Sequence, residues 1–387
     1  MITSETLRGL TSSDDNGYLR PAYLFCPSAL NENVDRLRRE FSCRNIDRLC
    51  LGYSVKTNPH HEVLQAVRRL DMYAEIVSPH ELELALAEKF QPRNIIYNGV
   101  IPDPKGKFYV AQHGGIVNLE SYLEFEQLER KAAEENVAID VGIRLNLNIG
   151  NNRKSRFGVS PESQEFRRIL DLVEHSQFIN IVGVHSHVYG GRQPRYWSVR
   201  VKKAAEIANK LNARYIDLGS NMFGPMDVRM AEQFEEQLPT FDDYAVAVEQ
   251  ALVSVYGNSF PLVILEPGTP VIANAVSVLA QVVNIRCVCG QNIATANCTE
   301  YDFGFTPATK NVPVDVIHNN NGHRYKSLDI YGYTCTEGDV LHRGYSGELA
   351  VGDYLLFRNL GAYSVSLSNS FIGPPMDMLV LARENTG

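Results

Sequence analysis

Short, almost uninterrupted apolar runs recur along the first two thirds of the chain, at 51–55, 72–76, 94–97, 115–119, 139–145, 179–184, 213–218 and 261–265. A strand covered on both faces has no polar side to present, so runs of this length predict buried strands. Between them apolar residues fall at helical spacing, most clearly over 120–135, 161–175, 196–211 and 240–256. Pro161 sits near one helix start, where a missing N–H costs little. Eight strand–helix units within roughly 220 residues predict an α/β fold with parallel strands closed into a (β/α)8 TIM-like barrel. The competing architecture is a doubly wound open sheet. Its usual Gly-x-Gly-x-x-Gly turn is missing after the first candidate strand.

The pattern changes at both flanks. Tyr23-Leu24-Phe25 reads as a strand, and Ser28 as the cap of a helix whose Leu30, Val34, Leu37 and Phe41 form one stripe. Beyond Glu266 the stretches 271–290 and 328–384 are rich in Val, Tyr, Thr and Gly, with short alternation and no long helical period. This predicts a β-rich C-terminal domain. The expected division is a barrel over 25–270 and a β-rich domain from 1–24 and 271–387.

Composition narrows the function classes. The net charge of −8 over 387 residues argues against nucleic acid, which wants a basic face. No apolar run approaches the ~18 residues a membrane span needs. The start, Met1-Ile2-Thr3-Ser4-Glu5, lacks the basic and apolar regions of a secretory signal, and the seven cysteines are odd in number and scattered. Both features lead us to expect a cytoplasmic protein. No Cys/His spacing resembles a zinc site, so no metal is expected.

In a barrel of this kind chemistry gathers at the C-terminal strand ends. The first strand ends in Tyr53-Ser54-Val55-Lys56, and the fifth in Arg144-Leu145-Asn146. The sixth runs into His185-Ser186-His187-Val188-Tyr189-Gly190, the seventh into Gly219-Ser220-Asn221, and the eighth into Glu266-Pro267-Gly268-Thr269. A lysine at a buried strand end can lose basicity and act as an amine nucleophile toward an aldehyde. Taken alone, it is more simply a side chain reaching out to solvent. Five polar strand ends on one rim make a site hypothesis. On an extended strand His185 faces the same way as His187, and it reads as structural; Tyr189, Ser78 and Asn98 read as packing or supporting residues.

The order Tyr-x-x-Lys, His-x-His-Val, a Gly-containing turn, Glu-Pro-Gly, then Cys335-Thr336-Glu337-Gly338-Asp339 and Gly361-Ala362-Tyr363 resembles the fold-type III pyridoxal 5′-phosphate (PLP) decarboxylases over residues 20–380. That family includes ornithine, diaminopimelate and arginine decarboxylases and relatives in siderophore and antibiotic pathways. The resemblance implies that Lys56 holds PLP as a Schiff base, that His187 stacks on the pyridine ring, and that Glu266 pairs with its nitrogen and so stabilises the carbanion left when CO₂ departs. It implies that Gly190, Gly219, Ser220 and Asn221 cradle the phosphate, that Glu75 and Arg144 lie beside the cofactor, and that Tyr363 reaches it. Cys335 is implied as the proton donor acting from a partner subunit, hence a head-to-tail homodimer with interfacial active sites. Thr336, Asp339 and Arg156 are the implied substrate-binding residues. By itself a lone cysteine such as Cys335 reads as an inert thiol.

The chain departs from that pattern in four places. Gly219-Ser220-Asn221-Met222 replaces a Gly-Gly-Gly loop, Thr269 stands where the family has an arginine, Gly190 falls where a serine is common, and Thr336 replaces an acidic residue that reads a distal amine. With the arginine gone, the phosphate would need Ser220, Asn221, Thr269 or an arginine such as Arg192. Thr336 points to an amino acid carrying a larger attached group. Two other functions fit the scaffold. One is an amino-acid racemase or epimerase, against which Glu266 argues because those enzymes place an arginine at the ring nitrogen. The other is a non-catalytic binding protein, against which Lys56, His187, Glu266 and Cys335 argue jointly.

Overall fold

The computed structural model describes residues 17–381 except Asn45 and Asp47. The reading of Met1–Glu5 lies outside the described residues. The chain divides into two compact units, one from Val34–Gly224 and Leu238–Pro270, the other from the described parts of Met1–Asn33, Pro225–Gln237 and Val271–Gly387.

The first unit is a closed barrel of eight strands. These are β2 (Leu49–Ser54), β3 (Tyr73–Ile76), β4 (Ile95–Tyr97), β5 (Ile116–Leu119), β6 (Ile139–Arg144), β7 (Ile179–His185), β8 (Tyr215–Asp217) and β9 (Leu262–Leu265). Each pairs in parallel with the next, and Leu49↔Val263 to Leu51↔Leu265 joins the last strand to the first. That closing ladder excludes the open doubly wound sheet. Parallel strands need crossover helices. After α1 (Pro27–Ser42), which precedes β2, the main ones are α2 (His61–Arg69), α3 (Pro79–Ala87), α4 (Pro104–Gln112), α5 (Tyr122–Glu135), α6 (Gln164–His175), α7 (Pro194–Lys210) and, after the short α8 (Val228–Ala231), α9 (Phe241–Tyr256).

Local chemistry sets the helix ends. Ser78, Ser121 and Ser163 accept backbone N–H bonds from Glu81, Glu124 and Phe166, and Thr240 forms a reciprocal capping box with Asp243. Ser163 caps α6, so the helix starts after Pro161 rather than at it. Ser28 lies inside the first turn of α1, which begins at Pro27, and is not its cap. Within the barrel, Ile96, Tyr215 and Ile264 form a buried layer. The Tyr215 ring needs space that only glycine gives: a Cβ on Gly183 would stand 2.1 Å from it, and one on Gly142 2.3 Å from its hydroxyl.

In the second unit the sheet order is β12 (Val314–Ile317), β15 (Tyr354–Phe357), β10 (Val276–Val288), β11 (Gln291–Ala296), β13 (His323–Tyr331) and β14 (Val340–Leu349). A register shift between Val282 and Asn284 bends β10, which pairs with β15 through Val278–Gln281 and with β11 beyond. Strand β1 (Ala22–Phe25) lies antiparallel to β10 and parallel to β16 (Asp377–Val380). Residues 25–33 and 225–237, expected in the barrel, therefore belong here. Phe25 is a rung of that ladder, Asn33 donates to Val271 O at 2.9 Å, and Arg229 pairs with Asp315 at 2.8 Å.

Candidate active site

Six of the eight barrel strands carry a polar side chain to one end (Ser54, Glu75, Asn118, Arg144, His185 and Asp217), and Asn98 and Glu266 follow directly after β4 and β9. Ser54 closes β2, and Lys56 follows in a short helical turn at Val55–Thr57. The β2–β3 register sets Ser54 opposite Glu75, so the Lys56 Nζ reaches Glu75 Oε2 at 2.5 Å and Ser54 Oγ at 3.2 Å. Glu75 is buried while the Lys56 side chain is 37% exposed, so the amine lies at an open edge over a buried carboxylate. Asn98 Nδ2 donates to Glu75 Oε1 at 3.0 Å and to Glu266 Oε1 at 2.6 Å, tying the lysine side of the barrel to the glutamate side. Asn118, on β5, donates to Asn98 Oδ1 at 2.9 Å and to Asp217 Oδ2 at 3.1 Å, and accepts from Tyr215 OH at 2.9 Å.

Glu266 and Asp217 form a buried, coupled carboxyl pair. Burial pushes Asp217 well up, and the neighbouring Glu266 charge pushes it further. Burial works against Glu266 too, but His185, the Asp217 hydrogen bond and the Lys56 charge outweigh it and hold it well below the usual range. The pair thus keeps one proton on Asp217 and a fixed anion on Glu266. His185 Nε2 lies 3.5 Å from Glu266 Oε2, long for a hydrogen bond. His185, read as structural, is therefore part of the electrostatics. His185, Asp217 and Glu266 also bring ligand atoms within 4.8 Å of one another. Each carboxylate oxygen has a neighbour in Asn98, His185, Gly219 N or Asn118, while both His185 ring nitrogens are buried without a hydrogen-bond partner.

His187 is partly buried against the 219–221 turn. Its Nδ1 accepts the Ser220 N–H at 3.2 Å. Gly219 has φ +58°, and a Cβ there would stand 2.6 Å from that same Nδ1, so both backbone and space demand glycine. Asn221 Nδ2 donates to Val188 O at 3.1 Å and Gly190 O at 2.6 Å, clamping the two turns together. Desolvation holds His187 well below its ordinary value of 6.5, and Arg144 and Arg200 add to this while Glu266 opposes it. The unfolded chain then binds the extra proton first, so stability falls as pH drops through 6.5 toward the folded value. Urea unfolding of the cofactor-free protein between pH 7.5 and 5.5 should show this decline, with a flatter profile in His187→Gln; equal slopes in the two proteins would refute it.

The other expected residues are placed differently. Arg144 Nη1 pairs with Glu120 Oε2 at 2.8 Å. Arg156 is exposed, its guanidinium 4.1 Å over the Phe157 ring, and Tyr189 is 70% exposed rather than packed. Cys335, Thr336, Asp339 and Tyr363 belong to the second unit. There Asp339, expected to bind substrate, is instead buried and accepts from Glu300 N at 2.7 Å, Thr334 N at 3.0 Å and Thr334 Oγ1 at 2.7 Å. It shapes the turn that leaves Cys335 exposed. Tyr363 sits at φ +62°, a strained position for a non-glycine residue. Sequence reasoning missed Asn118 and Arg200. Each is a polar residue interrupting an apolar pattern, in the run 115–119 and on the buried face of α7.

The residues present fit PLP. A primary amine beside a carboxylate can take its aldehyde, a fixed anion suits its protonated ring nitrogen, and the absence of a Cβ on Gly219 lets the His187 ring lie close against that turn. Thr57 Oγ1 is buried without a hydrogen-bond partner, and Gly268 leaves room at 2.0 Å for that hydroxyl. Comparison with known proteins agrees. The family model "Pyridoxal-dependent decarboxylase, pyridoxal binding domain" matches residues 28–273. The chain belongs to this family. Its cofactor is PLP and its reaction class is that of the PLP-dependent amino-acid decarboxylases, which are carboxy-lyases. The chain is 25% identical to the diaminopimelate decarboxylase of Methanothermobacter thermautotrophicus, over 95% of this chain and 87% of that one. It is 28% identical to the diaminopimelate decarboxylase of Pseudomonas aeruginosa, over 82% and 78%. Among solved structures, a diaminopimelate decarboxylase from M. jannaschii superposes with TM-score 0.84 at 20% identity, covering 97% and 93%, and the Paramecium bursaria Chlorella virus arginine decarboxylase with 0.77 at 20%, covering 94% and 96%. These two share the barrel and β-rich fold. Among the described residues no helix is long and apolar enough to cross a membrane, and all seven cysteines are free thiols.

Proposed function

We propose that this enzyme decarboxylates an amino acid whose side chain ends in something other than a free ammonium, using Lys56 to hold PLP, Glu266 as the anion at its ring nitrogen and Cys335 as the proton donor. The observation that carries this reading is the continuous chain Lys56–Glu75–Asn98–Glu266 across the barrel end. When bound, PLP supplies an electron sink for the pair released as the Cα–carboxylate bond breaks. Glu75 accepts hydrogen bonds from the Lys56 amine and holds it at one edge of the barrel. Glu266 keeps its charge because Asp217 carries the shared proton. His187, neutral, offers a flat face without competing for that charge. The proton that replaces CO₂ at Cα comes from the Cys335 thiol, which is exposed and held out by the Asp339 turn.

Cys335 acts from a second copy in this reading, in a homodimer with interfacial active sites. Mixing Lys56→Ala with Cys335→Ala chains would then restore part of the activity that each variant lacks. The substrate reading rests on Thr336, whose Oγ1 lies 2.8 Å from Thr334 Oγ1 and presents a neutral hydroxyl. A CO₂-release screen over ornithine, lysine, arginine, diaminopimelate and their side-chain conjugates tests it. CO₂ from conjugates supports the proposal, and CO₂ from the free diamino acids alone overturns the substrate class. Loss of optical rotation at unchanged mass would overturn decarboxylation itself.

A further inference from the structure

Where the resemblance expects an arginine after Glu266-Pro267-Gly268, the chain has Thr269, and two other arginines near the site are committed elsewhere. Arg192 is exposed, with Nε 3.3 Å from Asn221 Oδ1, and Arg144 is paired with Glu120. A different cation lies behind the 219–221 turn. Arg200, on α7, is 2% exposed, one of a buried face with Trp197, Val201, Ala204 and Ala208. Its guanidinium stacks 4.0 Å over the Trp197 ring, and Nη1 donates to Ser220 O at 3.2 Å. Nε and Nη2, the side-on edge that matches two oxygens of a phosphate, have no hydrogen-bond partner. Among the described residues no carboxylate lies within ion-pair distance of it. Buried charges are normally paired, so an unpaired guanidinium beside the Gly219-Ser220 turn calls for an anion that the protein does not supply.

We infer that Arg200 is the counter-charge for the PLP phosphate, replacing from α7 the cation lost at position 269. This deepens the PLP reading and rests on it. The phosphate would lie at the Ser220 turn, with Arg200 fixed in place by the bond from Nη1 to the Ser220 carbonyl and its Nε–Nη2 edge left to take phosphate oxygens. Burial lowers Arg200 to about 9, which still leaves it charged at neutral pH. A helical core position occupied by arginine then has a functional cause: an apolar residue would pack there at least as well.

The test compares cofactor-free wild type with Arg200→Gln and Arg200→Met, titrated with PLP and with pyridoxal, which lacks the phosphate. Binding is read as absorbance and tryptophan quenching. Gln retains a donor for Ser220 O but no charge. The expected result is an affinity loss for PLP of about tenfold or more in both variants, with pyridoxal unchanged; charge-assisted phosphate contacts are worth that much. Unchanged pyridoxal binding also shows that the variants fold. PLP affinity equal to wild type in Arg200→Gln would overturn the inference, as would equal losses for PLP and pyridoxal, which would make Arg200 a support for the turn only. If wild type binds neither ligand, the PLP reading itself fails, a result distinct from either of these.

Discussion

Lys56→Ala should abolish covalent attachment of PLP and lower decarboxylation by at least about 10⁴-fold, because Lys56 is the amine that reaches Glu75, while Lys107, beside Gly99 past β4, is buried and paired with Glu124. The lysine is the cation over the buried Glu75, so alanine also leaves that carboxylate without its 2.5 Å partner. Because the Lys56 side chain is 37% exposed, solvent screens much of this loss, and the folded protein should survive. Lys56→Arg separates the two roles. It restores a charge beside Glu75 but not the nucleophile, so stability should recover while attachment does not. Visible absorbance, borohydride trapping and peptide mapping check this. A cofactor peptide that maps elsewhere, or an active Lys56→Arg, would refute the assignment.

Glu266→Gln is expected to keep PLP bound and to lower kcat by about 10²–10³-fold, the scale of removing one fixed electrostatic stabiliser. The amide is nearly isosteric and can still accept from Asn98 through its oxygen, so its effect should fall on kcat rather than on folding. Asp217 gives the control. It is the protonated member of the pair, so Asp217→Asn replaces one neutral group by another and should cost less than about tenfold. Steady-state kinetics on the best substrate from the CO₂ screen, with cofactor content measured for each variant, decides between them. If Asp217→Asn is the more damaging change, the proton is on Glu266 and the electrostatic reading is inverted.

The residues of the proposed site that the sequence singles out share a feature: each is a residue type at odds with its local pattern. Lys56 ends an apolar run, Glu266 ends another, and Gly219 opens a turn where a strand stops. Asn118 sent a comparable but weaker signal, one amide in a run of apolar residues, and its role appears only when β4, β5 and β8 are brought together. Arg200 was hidden for a different reason. Helical periodicity marks it as facing inward, but only the approach of the Ser220 turn gives that inward charge an address. Sequence order cannot show which oxygens are already used: the Asp339 carboxylate accepts from the Glu300 and Thr334 backbone and the Thr334 hydroxyl.

The number and order of strands, the parallel pairing and the position of Lys56 and Glu266 at strand ends were determined by the chain alone, because burial on both faces and crossover connection leave a direct trace in residue pattern. Closure of the barrel, the assignment of residues 25–33 and 225–237 to the β-rich unit, the proton on Asp217 and the unpaired charge of Arg200 were decided only in three dimensions. Each depends on long-range approach, through the Leu49↔Val263 ladder, the β1–β10 ladder or the convergence of buried charges, and the energy of such contacts is set by distance and desolvation, neither of which is written in local sequence.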